Sequence, residues 1–333
     1  MSVGRFLQQA AAGNAGGATY VDDVFSTYLY DGTSGSQTIT NNIDLSGEGG
    51  MVVLKGRDAA TGEAWITTDT ERGTGKYLMW HNTDAESTTA DVAVQSFTSS
   101  GFGLTGSESS TNSSALKYVS YTFRRAPGFF DVVAYTGTGT AGLSINHNLG
   151  VTPEMMIVKR RNASQGWAVY HHDANASPAT GACQLESNIP FTVSSVYWND
   201  TAPTDTVFTL GSSNITNNNN DTYIAYLFAT VSGISKVGGY TGTASDLDID
   251  CGFSSGARFV LVKRTDSTGD WYVWDSERGI VAGNDPYLLL NSTAAEVTST
   301  DYIDPLSSGF TITSSAPAAL NASGGNYIFL AIA

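Results

Sequence analysis

The chain has 333 residues, of which 31 are acidic and 16 are basic, so its formal net charge is −15. This balance argues against a sequence-independent nucleic-acid surface, which needs clustered Lys and Arg. No run approaches the roughly 18 apolar residues that span a bilayer. We therefore expect that the protein neither binds nucleic acid nor inserts into a membrane.

Residues 1–21 predict a short N-terminal arm. Only Phe6 and Leu7 are strongly apolar at its start, so the arm lacks the apolar stretch of a secretory signal peptide. The glycine-rich residues 13–17 would end any short helix that begins near Arg5. Two interpretations stay open: a free tail, and an attachment segment that becomes ordered on a partner.

One stretch of sequence recurs three times along the rest of the chain. Each copy is an apolar run that ends in lysine, followed by a charged turn and a strand containing tryptophan. A period of about 105 residues is too long for solenoid or propeller repeats and matches a small domain. We therefore predict three units, residues 22–125, 126–232 and 233–333, each able to bury its own core. The superposing landmarks are Lys55, Lys159 and Lys263, followed by Trp65, Trp167 and Trp271.

Unit one consists of short segments rich in Val, Ile, Thr and aromatic residues, separated by Gly, Asn, Asp and Ser clusters. These features are typical of β-strands in a sandwich or jelly roll. The predicted strands are 25–30, 37–43, 51–55, 64–68, 76–81, 92–97, 101–104 and 118–123.

Unit two repeats this order, although residues 179–189 match the other units only in part. Its predicted strands are 131–136, 143–147, 155–159, 167–171, 207–210 and 223–228. Unit three closes on an apolar segment, residues 328–333, that we expect to be buried. No segment keeps a helical period, so helix should be minor. The predicted class is all-β, with three tandem β-sandwich, jelly-roll-like repeats that abut through short connections.

Residues 137–142 spell a GxGxxG pattern after a predicted strand. A dinucleotide site would need a helix immediately afterwards to receive the pyrophosphate. The following residues alternate as a strand does, so we predict a hairpin turn instead.

Asp246, Asp248 and Asp250 resemble the start of a calcium-binding loop. Cys251 stands where such a loop requires glycine, and Ala257 stands where it requires a bidentate glutamate. We predict an exposed acidic strand face and leave a weak cation contact open.

His171 and His172 suggest zinc, but adjacent side chains on a strand point to opposite faces. His171 also occupies the register of Asp69 and Asp275, which favours a structural role in a turn. The two cysteines do not occupy equivalent positions in their units, so buried free thiols are favoured over a repeated disulfide.

Glu71 and Glu277 are the best candidates for a catalytic carboxylate. Each precedes an arginine at the same register of its unit, and unit two has no equivalent. A repeated ion pair or turn closure explains them more simply than general acid catalysis, which would need a second carboxylate in a cleft. We therefore predict no catalytic residue, no cofactor and no metal.

Six tryptophans divide into two groups. Those that recur in every unit are expected in the core, although a stacking surface for sugars is the alternative. Those peculiar to one unit are the better candidates for an exposed contact surface. These candidates are Trp80, Trp198 and Trp274.

Several phrases resemble the repeated domain of uncharacterised structural proteins from marine tailed phages, notably cyanophages. They are FDVVAYTGTGTAG at 130–142, HNLGVTP at 147–153, MIVKRR at 156–161 and FVLVKRTDSTGDWYVWDSERG at 259–279. Residues 21–30 are also similar to those proteins, whereas the rest of unit one matches less closely.

The resemblance implies a non-catalytic virion structural protein, made in the host cytoplasm and located on the particle surface. A tail fibre, a tail tip and a capsid appendage are the expected positions, with roles in assembly and host-surface attachment. The resemblance assigns no functional residues. The alternative is a glycan-degrading spike enzyme with a site in one diverged unit.

For assembly, we predict a homo-oligomer, with a trimer favoured and a five-fold capsid site left open. The arm would dock on other virion proteins, and the later units would face a host-surface glycan or protein. Sandwiches joined in series would gain reach with each unit, and oligomerisation around an axis would cover sheet edges.

Overall fold

A computed structural model describes residues 19–58, 62–89 and 91–333. Most of the predicted arm, residues 1–18, lies outside the described residues. Strands make up 40% of the structure and helix 4%, and the sheets are antiparallel, which confirms the predicted all-β sandwich class and the minor helix content. The division into three units stays an interpretation. The names unit one, unit two and unit three refer below to the predicted ranges.

Unit one begins with a helical turn and forms a five-stranded and a three-stranded sheet, in the orders β1-β8-β3-β4-β5 and β2-β7-β6. The predicted strand at 92–97 is displaced, because Val92 to Val94 form an apolar loop whose side chains fill the core. The elements are α1 (Val21–Val24), β1 (Phe25–Asp31), β2 (Gln37–Thr40), β3 (Gly50–Gly56), β4 (Trp65–Asp69), β5 (Leu78–Met79), β6 (Ser96–Thr98), β7 (Gly101–Leu104) and β8 (Lys117–Arg124).

Unit two contains all six strands predicted for it. Its poorly matching middle supplies two further strands and a short 3-10 turn, Pro178–Thr180, so the large sheet has the order β14-β13-β12-β11-β16-β9 beside the pair β10-β15. The strands are β9 (Phe130–Thr136), β10 (Leu143–Asn146), β11 (Met155–Arg160), β12 (Trp167–His171), β13 (Gly181–Gln184), β14 (Thr192–Val193), β15 (Val207–Leu210) and β16 (Thr222–Phe228).

Unit three repeats the arrangement of unit one, with sheets β17-β24-β19-β20-β21 and β18-β23-β22. The predicted burial of residues 328–333 is confirmed. The elements are β17 (Ser235–Thr241), β18 (Leu247–Asp250), β19 (Phe259–Arg264), β20 (Trp271–Asp275), β21 (Leu288–Leu289), β22 (Ile303–Leu306), β23 (Gly309–Ile312), α2 (Ala318–Asn321) and β24 (Asn326–Ile332).

The central strands of each large sheet are buried on both faces, which explains the uninterrupted apolar runs in the sequence. In β3, Val52 and Leu54 point to an outer core between the large and small sheets of unit one. Met51 and Val53 point the other way, into a core to which the large sheets of all three units contribute. The units therefore abut as predicted, but they surround one shared core and do not form the expected extended series.

The connections between units are tight turns. Gly128 and Gly233 adopt positive φ angles of 77° and 73°, a conformation that favours glycine. Each glycine lies within a turn closed by one isolated β-bridge, Ala126 with Phe130 and Val231 with Ser235. Aromatic rings from all three units meet at this end of the shared core, which we call the proximal end. The rings belong to Phe25, Phe123, Phe130, Phe228 and Phe259.

The opposite, distal end carries the turns that follow Lys55, Lys159 and Lys263. It also carries loops that a buried asparagine holds in place in each unit. Asn112 Oδ1 accepts a hydrogen bond from Thr33 N at 3.0 Å, and its Nδ2 donates to Gly35 O and Gly106 O. Asn217 and Asn321 make the same three kinds of bond in their units. The distal loops therefore share one internal scaffold and differ in the side chains that they expose.

Candidate binding site

A buried lysine closes each contact region, or seam, between two units. Lys55 Nζ donates to Glu63 O of its own unit at 2.8 Å and to Thr293 O of unit three at 2.9 Å. The two other lysines repeat this arrangement, so each unit bonds to a different neighbour and the three seams form a closed cycle. Lys159 donates to Gln165 O and Thr83 O, and Lys263 donates to Gly269 O and Asn188 O.

The repeated tryptophans reinforce the same seams. Trp65 Nε1 donates to Leu289 O of unit three at 2.9 Å, and its ring is fully buried. The predicted core position of the repeated tryptophans is confirmed, and each one also bonds across a seam. The other pairs are Trp167 Nε1 with Met79 O and Trp271 Nε1 with Gln184 O.

Burial changes the acidity of the three seam lysines. Removal of the ammonium group from water disfavours its charged form and lowers the pKa of Lys55, Lys159 and Lys263 to about 8. The carbonyl acceptors around each Nζ accept hydrogen bonds from either protonation state. These lysines are therefore structural donors whose pKa lies closer to neutral pH than that of an exposed lysine.

The one–two seam contains a buried polar network. Arg72 Nε lies 2.5 Å from Asp69 Oδ2, and Tyr226 OH of unit two donates to the same oxygen at 2.7 Å. Glu86 of unit one pairs with Arg161 of unit two at 2.9 Å. Burial alone would lower the pKa of Arg72, but the Asp69 and Glu86 carboxylates and the Tyr226 hydroxyl outweigh that effect, so its pKa is raised.

The three–one seam has the same network with different residue numbers. Arg278 Nε lies 2.5 Å from Asp275 Oδ2, and Tyr121 OH of unit one donates to that oxygen at 2.7 Å. Arg57 and Glu296 form the accompanying pair at 3.0 Å.

The predicted repeated ion pair exists, but its carboxylate is an aspartate. Arg72 and Arg278 pair with the aspartates three residues before them, and the neighbouring glutamates point away. Glu71 forms an ion pair with Arg125 at 2.7 Å, and Glu277 lies at the rim of a surface cleft between units three and one.

The two–three seam lacks this network. His171, Ala174 and Phe191 of unit two stand where the other units have Asp, Arg and Glu, and Leu330 of unit three replaces the tyrosine. His171 Nε2 lies 3.1 Å from Phe329 O, and its Nδ1 accepts a hydrogen bond from Asp173 N. The ring is thus neutral with its proton on Nε2, and burial lowers the pKa of His171 to about 3. The predicted structural role of His171 is consistent with these bonds.

A groove runs along the two–three seam. It comprises two adjoining depressions of about 480 Å³ and about 360 Å³, which share Ala174, Asn175, Ala176 and Asn326. We call it the seam groove. Unit two further contributes Asp173, Pro190, Phe191 and Val193, and unit three contributes Gly239, Tyr240, Thr241, Thr265, Asp266 and Tyr327.

Small side chains keep the floor of the groove open. Ala174 occupies the position of a long arginine in the other units, and a Cβ on Gly239 would lie 2.9 Å from Asp173 Cβ. Sequence reasoning did not identify Ala174, Phe191 or Asn326 as site residues. The one sequence feature that pointed to this place is that unit two has no equivalent of the Glu71-Arg72 and Glu277-Arg278 pairs.

The candidate contact tryptophans are not exposed, and that prediction is wrong. Trp80 is 5% exposed and packs edge-on against Trp167, while Trp198 and Trp274 are fully buried. Trp198 Nε1 donates to Gly181 O at 2.8 Å, and Trp274 stacks on Tyr272. A tryptophan peculiar to one unit fills a local volume of that unit's core, so its uniqueness carries no information about exposure.

The remaining motifs have structural surroundings. Residues 137–142 are followed by strand β10 as predicted, but they connect the large sheet to the small one and are not a hairpin, since β9 pairs with β16 and β10 with β15. Asp248 is exposed on β18 and accepts a hydrogen bond from Thr311 Oγ1 at 2.6 Å. Cys183 and Cys251 are buried free thiols, as predicted.

Within the described ranges, no three His, Cys, Asp or Glu side chains are arranged to hold a metal ion. No helix in those ranges is long and apolar enough to cross a membrane. The centre of the shared core retains a void of only about 10 Å³ with an apolar lining, which is at the limit for one water molecule. The seam groove, where unit two has small side chains in place of the buried polar network, is our candidate for ligand contact.

Comparison with protein families places the chain. A search of the curated proteins finds no match. One family model matches residues 21–333, so it covers all three units at once. The chain belongs to the family described as domain of unknown function DUF7483.

Proposed function

We propose that the protein is a non-catalytic virion structural protein of a tailed phage, in a tail fibre, a tail tip or a capsid appendage. In this role it would contribute to assembly and host-surface attachment. The resemblance of residues 130–142 and 259–279 to phage structural proteins motivates the proposal, and the polarity of the fold supports it.

The polarity is the observation that carries the proposal. The described part of the chain begins near the proximal end, where Val24 and Phe25 are buried in the shared core. The distal loops lie at the other end of strands that rise about 3.3 Å per residue. A segment anchored on other virion proteins would thus present the distal loops away from the particle, and rigidly held loops are common sites of recognition.

The seam groove is the proposed contact with a host-surface glycan or protein. It opens on the side of the molecule, and Asn326 at the start of β24 marks its distal part. Contact is proposed for the groove and anchoring for residues 1–18, so the two functions can be tested separately.

Deletion of residues 1–18 tests the anchor. Residues from Val21 onward are kept because Val21 packs against the shared core. We expect a folded protein with an unchanged circular dichroism spectrum that no longer incorporates into particles, measured by immunoblotting of purified virions. Normal incorporation of the truncated chain would contradict the proposal.

The oligomeric state also stays a proposal. A trimer of chains would cover sheet edges around an axis. The three units of one chain already pack around a common core, so this argument for a trimer is weakened. The trimer therefore rests on the phage resemblance, and light scattering on the purified protein tests it. The glycan-degrading alternative stays a hypothesis, tested by assaying new reducing ends on host-surface glycan.

A further inference from the structure

We propose that the seam groove binds an uncharged saccharide and discriminates against anionic ones. This inference names the ligand class for the contact suggested under the proposed function and in that sense rests on it. It depends on the shape, the lining chemistry and the charge of the groove.

The size of the groove suits a short saccharide. Ligand sites in proteins usually enclose about 300 to 1,000 Å³, and each of the two depressions falls within that range. Because the depressions share residues 174–176, one chain of two or three sugar units can occupy both.

The lining offers the two kinds of contact that a sugar needs. Asn175 and Asn326 are exposed, and their amide Nδ2 groups have no hydrogen-bond partner among the described residues. An amide presents donors and an acceptor that match sugar hydroxyls. Pro190, Phe191 and the 68%-exposed Val193 form an apolar wall on which the C–H face of a sugar ring can pack.

The charge of the groove opposes anionic ligands. Neither depression is lined by a described lysine, arginine or histidine, while Asp173 and Asp266 contribute carboxylates. Arg264 is the nearest cation to Asp266, and it is engaged by that carboxylate at 2.7 Å and by Ala318 O. The basic side chains beside these carboxylates, Arg264 and His172, already lie against them and do not line the groove. An anionic sugar would therefore meet carboxylates without a free cation in the lining, in a chain with a net charge of −15.

The other seams provide matched control positions. Ala176 lies five residues after His171, as exposed Thr74 lies five residues after Asp69. Asn326 precedes Tyr327, as exposed Lys117 precedes Tyr118. Substitutions at Thr74 and Lys117 therefore introduce the same new residues at corresponding exposed positions without touching the groove.

The test measures binding of fluorescently labelled trisaccharides to the full chain by anisotropy at neutral pH. The probes are neutral trimers of mannose, glucose, galactose and N-acetylglucosamine, and a uronate trimer as the anionic probe. We expect at least one neutral trimer to bind with one site per chain and the uronate trimer not to bind.

Four variants locate the site. Ala176→Trp should abolish binding by filling the groove, and Asn326→Ala should weaken it about three- to tenfold by removing hydrogen bonds. Thr74→Trp and Lys117→Ala should leave binding unchanged. Circular dichroism confirms that each variant is folded, which is expected because all four positions are exposed.

Three outcomes would overturn the inference. The first is that no neutral trimer binds at about 10 mM, the limit of weak recognition. The second is that the Ala176→Trp variant binds as the unmodified chain does, and the third is that the uronate trimer binds as well as the neutral trimers. Any of them leaves the anchoring result with residues 1–18 intact, because that experiment reads particle incorporation. Failure of the anchor, conversely, does not alter saccharide binding by the isolated protein.

Discussion

Lys55, Lys159 and Lys263 show how a charged side chain is accommodated inside a protein core. Their aliphatic stems lie among apolar residues, and their Nζ atoms reach two backbone carbonyls, one on each side of a seam. An unpaired carbonyl in this position would lose the full free energy of its hydration. The lysine is therefore a connector between units as well as a repeated residue.

Removal of one seam lysine should destabilise the whole protein. We expect Lys159→Met to lower the free energy of unfolding by about 2–4 kcal/mol, because Gln165 O and Thr83 O both lose their partner. Urea denaturation measures the effect. The exposed Lys117→Met serves as control and should change stability by about 0.5 kcal/mol or less. Equal effects of the two substitutions would contradict the role of the seam bonds.

His171 should make the protein acid-sensitive. Its pKa is about 3 in the folded state against about 6.5 when unfolded, so the unfolded chain binds the additional proton between these values. The contribution of the neutral ring is complete above pH 6.5 and is lost as the pH falls toward 3. We expect the unmodified chain to lose about 1.4 kcal/mol per pH unit more than His171→Gln between pH 6 and pH 4.

Urea denaturation of both proteins at several pH values checks this difference. Parallel pH profiles for the unmodified chain and His171→Gln would show that the imidazole is not held neutral.

At the scale of elements, the three seams use one backbone scheme with two kinds of side-chain chemistry. Two seams contain Asp, Arg and Tyr in a buried network, and the third contains His, Ala and Leu. A buried ion pair is costly to break by removing one partner, whereas an apolar replacement of the whole set is tolerated much better. This principle explains how the two–three seam can be stable without the network.

The one–two seam offers a direct test of this reasoning. Arg72→Ala should lower the free energy of unfolding by about 3–5 kcal/mol, because Asp69 is left charged and buried without its partner. The triple variant Asp69→His, Arg72→Ala, Tyr226→Leu copies the chemistry of the two–three seam and should be more stable than Arg72→Ala alone. Denaturant titrations of both variants measure this order, and the reverse order would refute the explanation.

At the scale of the whole molecule, the shared core makes the three units interdependent. Each unit has an outer core of its own, but the inner faces of all three large sheets are buried only against one another. Each predicted unit thus has a core on one face of its large sheet, and the other face is buried only together with the two neighbouring units.

The full chain should consequently unfold in one cooperative transition. We expect tryptophan fluorescence and far-ultraviolet circular dichroism to give coincident denaturation curves. Residues 126–232 expressed alone should aggregate or self-associate, because Ile157, Trp167, Tyr226 and Phe228 would be exposed to water. A folded monomer of that fragment, or three separate transitions of the full chain, would contradict the shared core.

The local structure of this protein and its period can be read largely from the order of its residues. Alternating and apolar runs rich in β-formers predicted most strands, since a strand depends on its own residues and on turns at its ends. The equal spacing of Lys55, Lys159 and Lys263 predicted equivalent places for them. The phage-like phrases at 130–142 and 259–279 suggest a role that sequence alone does not test.

The packing of the three units determines which sheet faces meet and which side chains stay exposed. A period-two pattern cannot show whether the second face of a sheet meets water, a small sheet or another unit, so the shared core was not predictable. For the same reason the pattern does not show that Trp80, Trp198 and Trp274 are buried. The seam groove arises where Ala174 and Phe191 of unit two meet Asn326 of unit three. Such a site exists only because residues distant in sequence pack together.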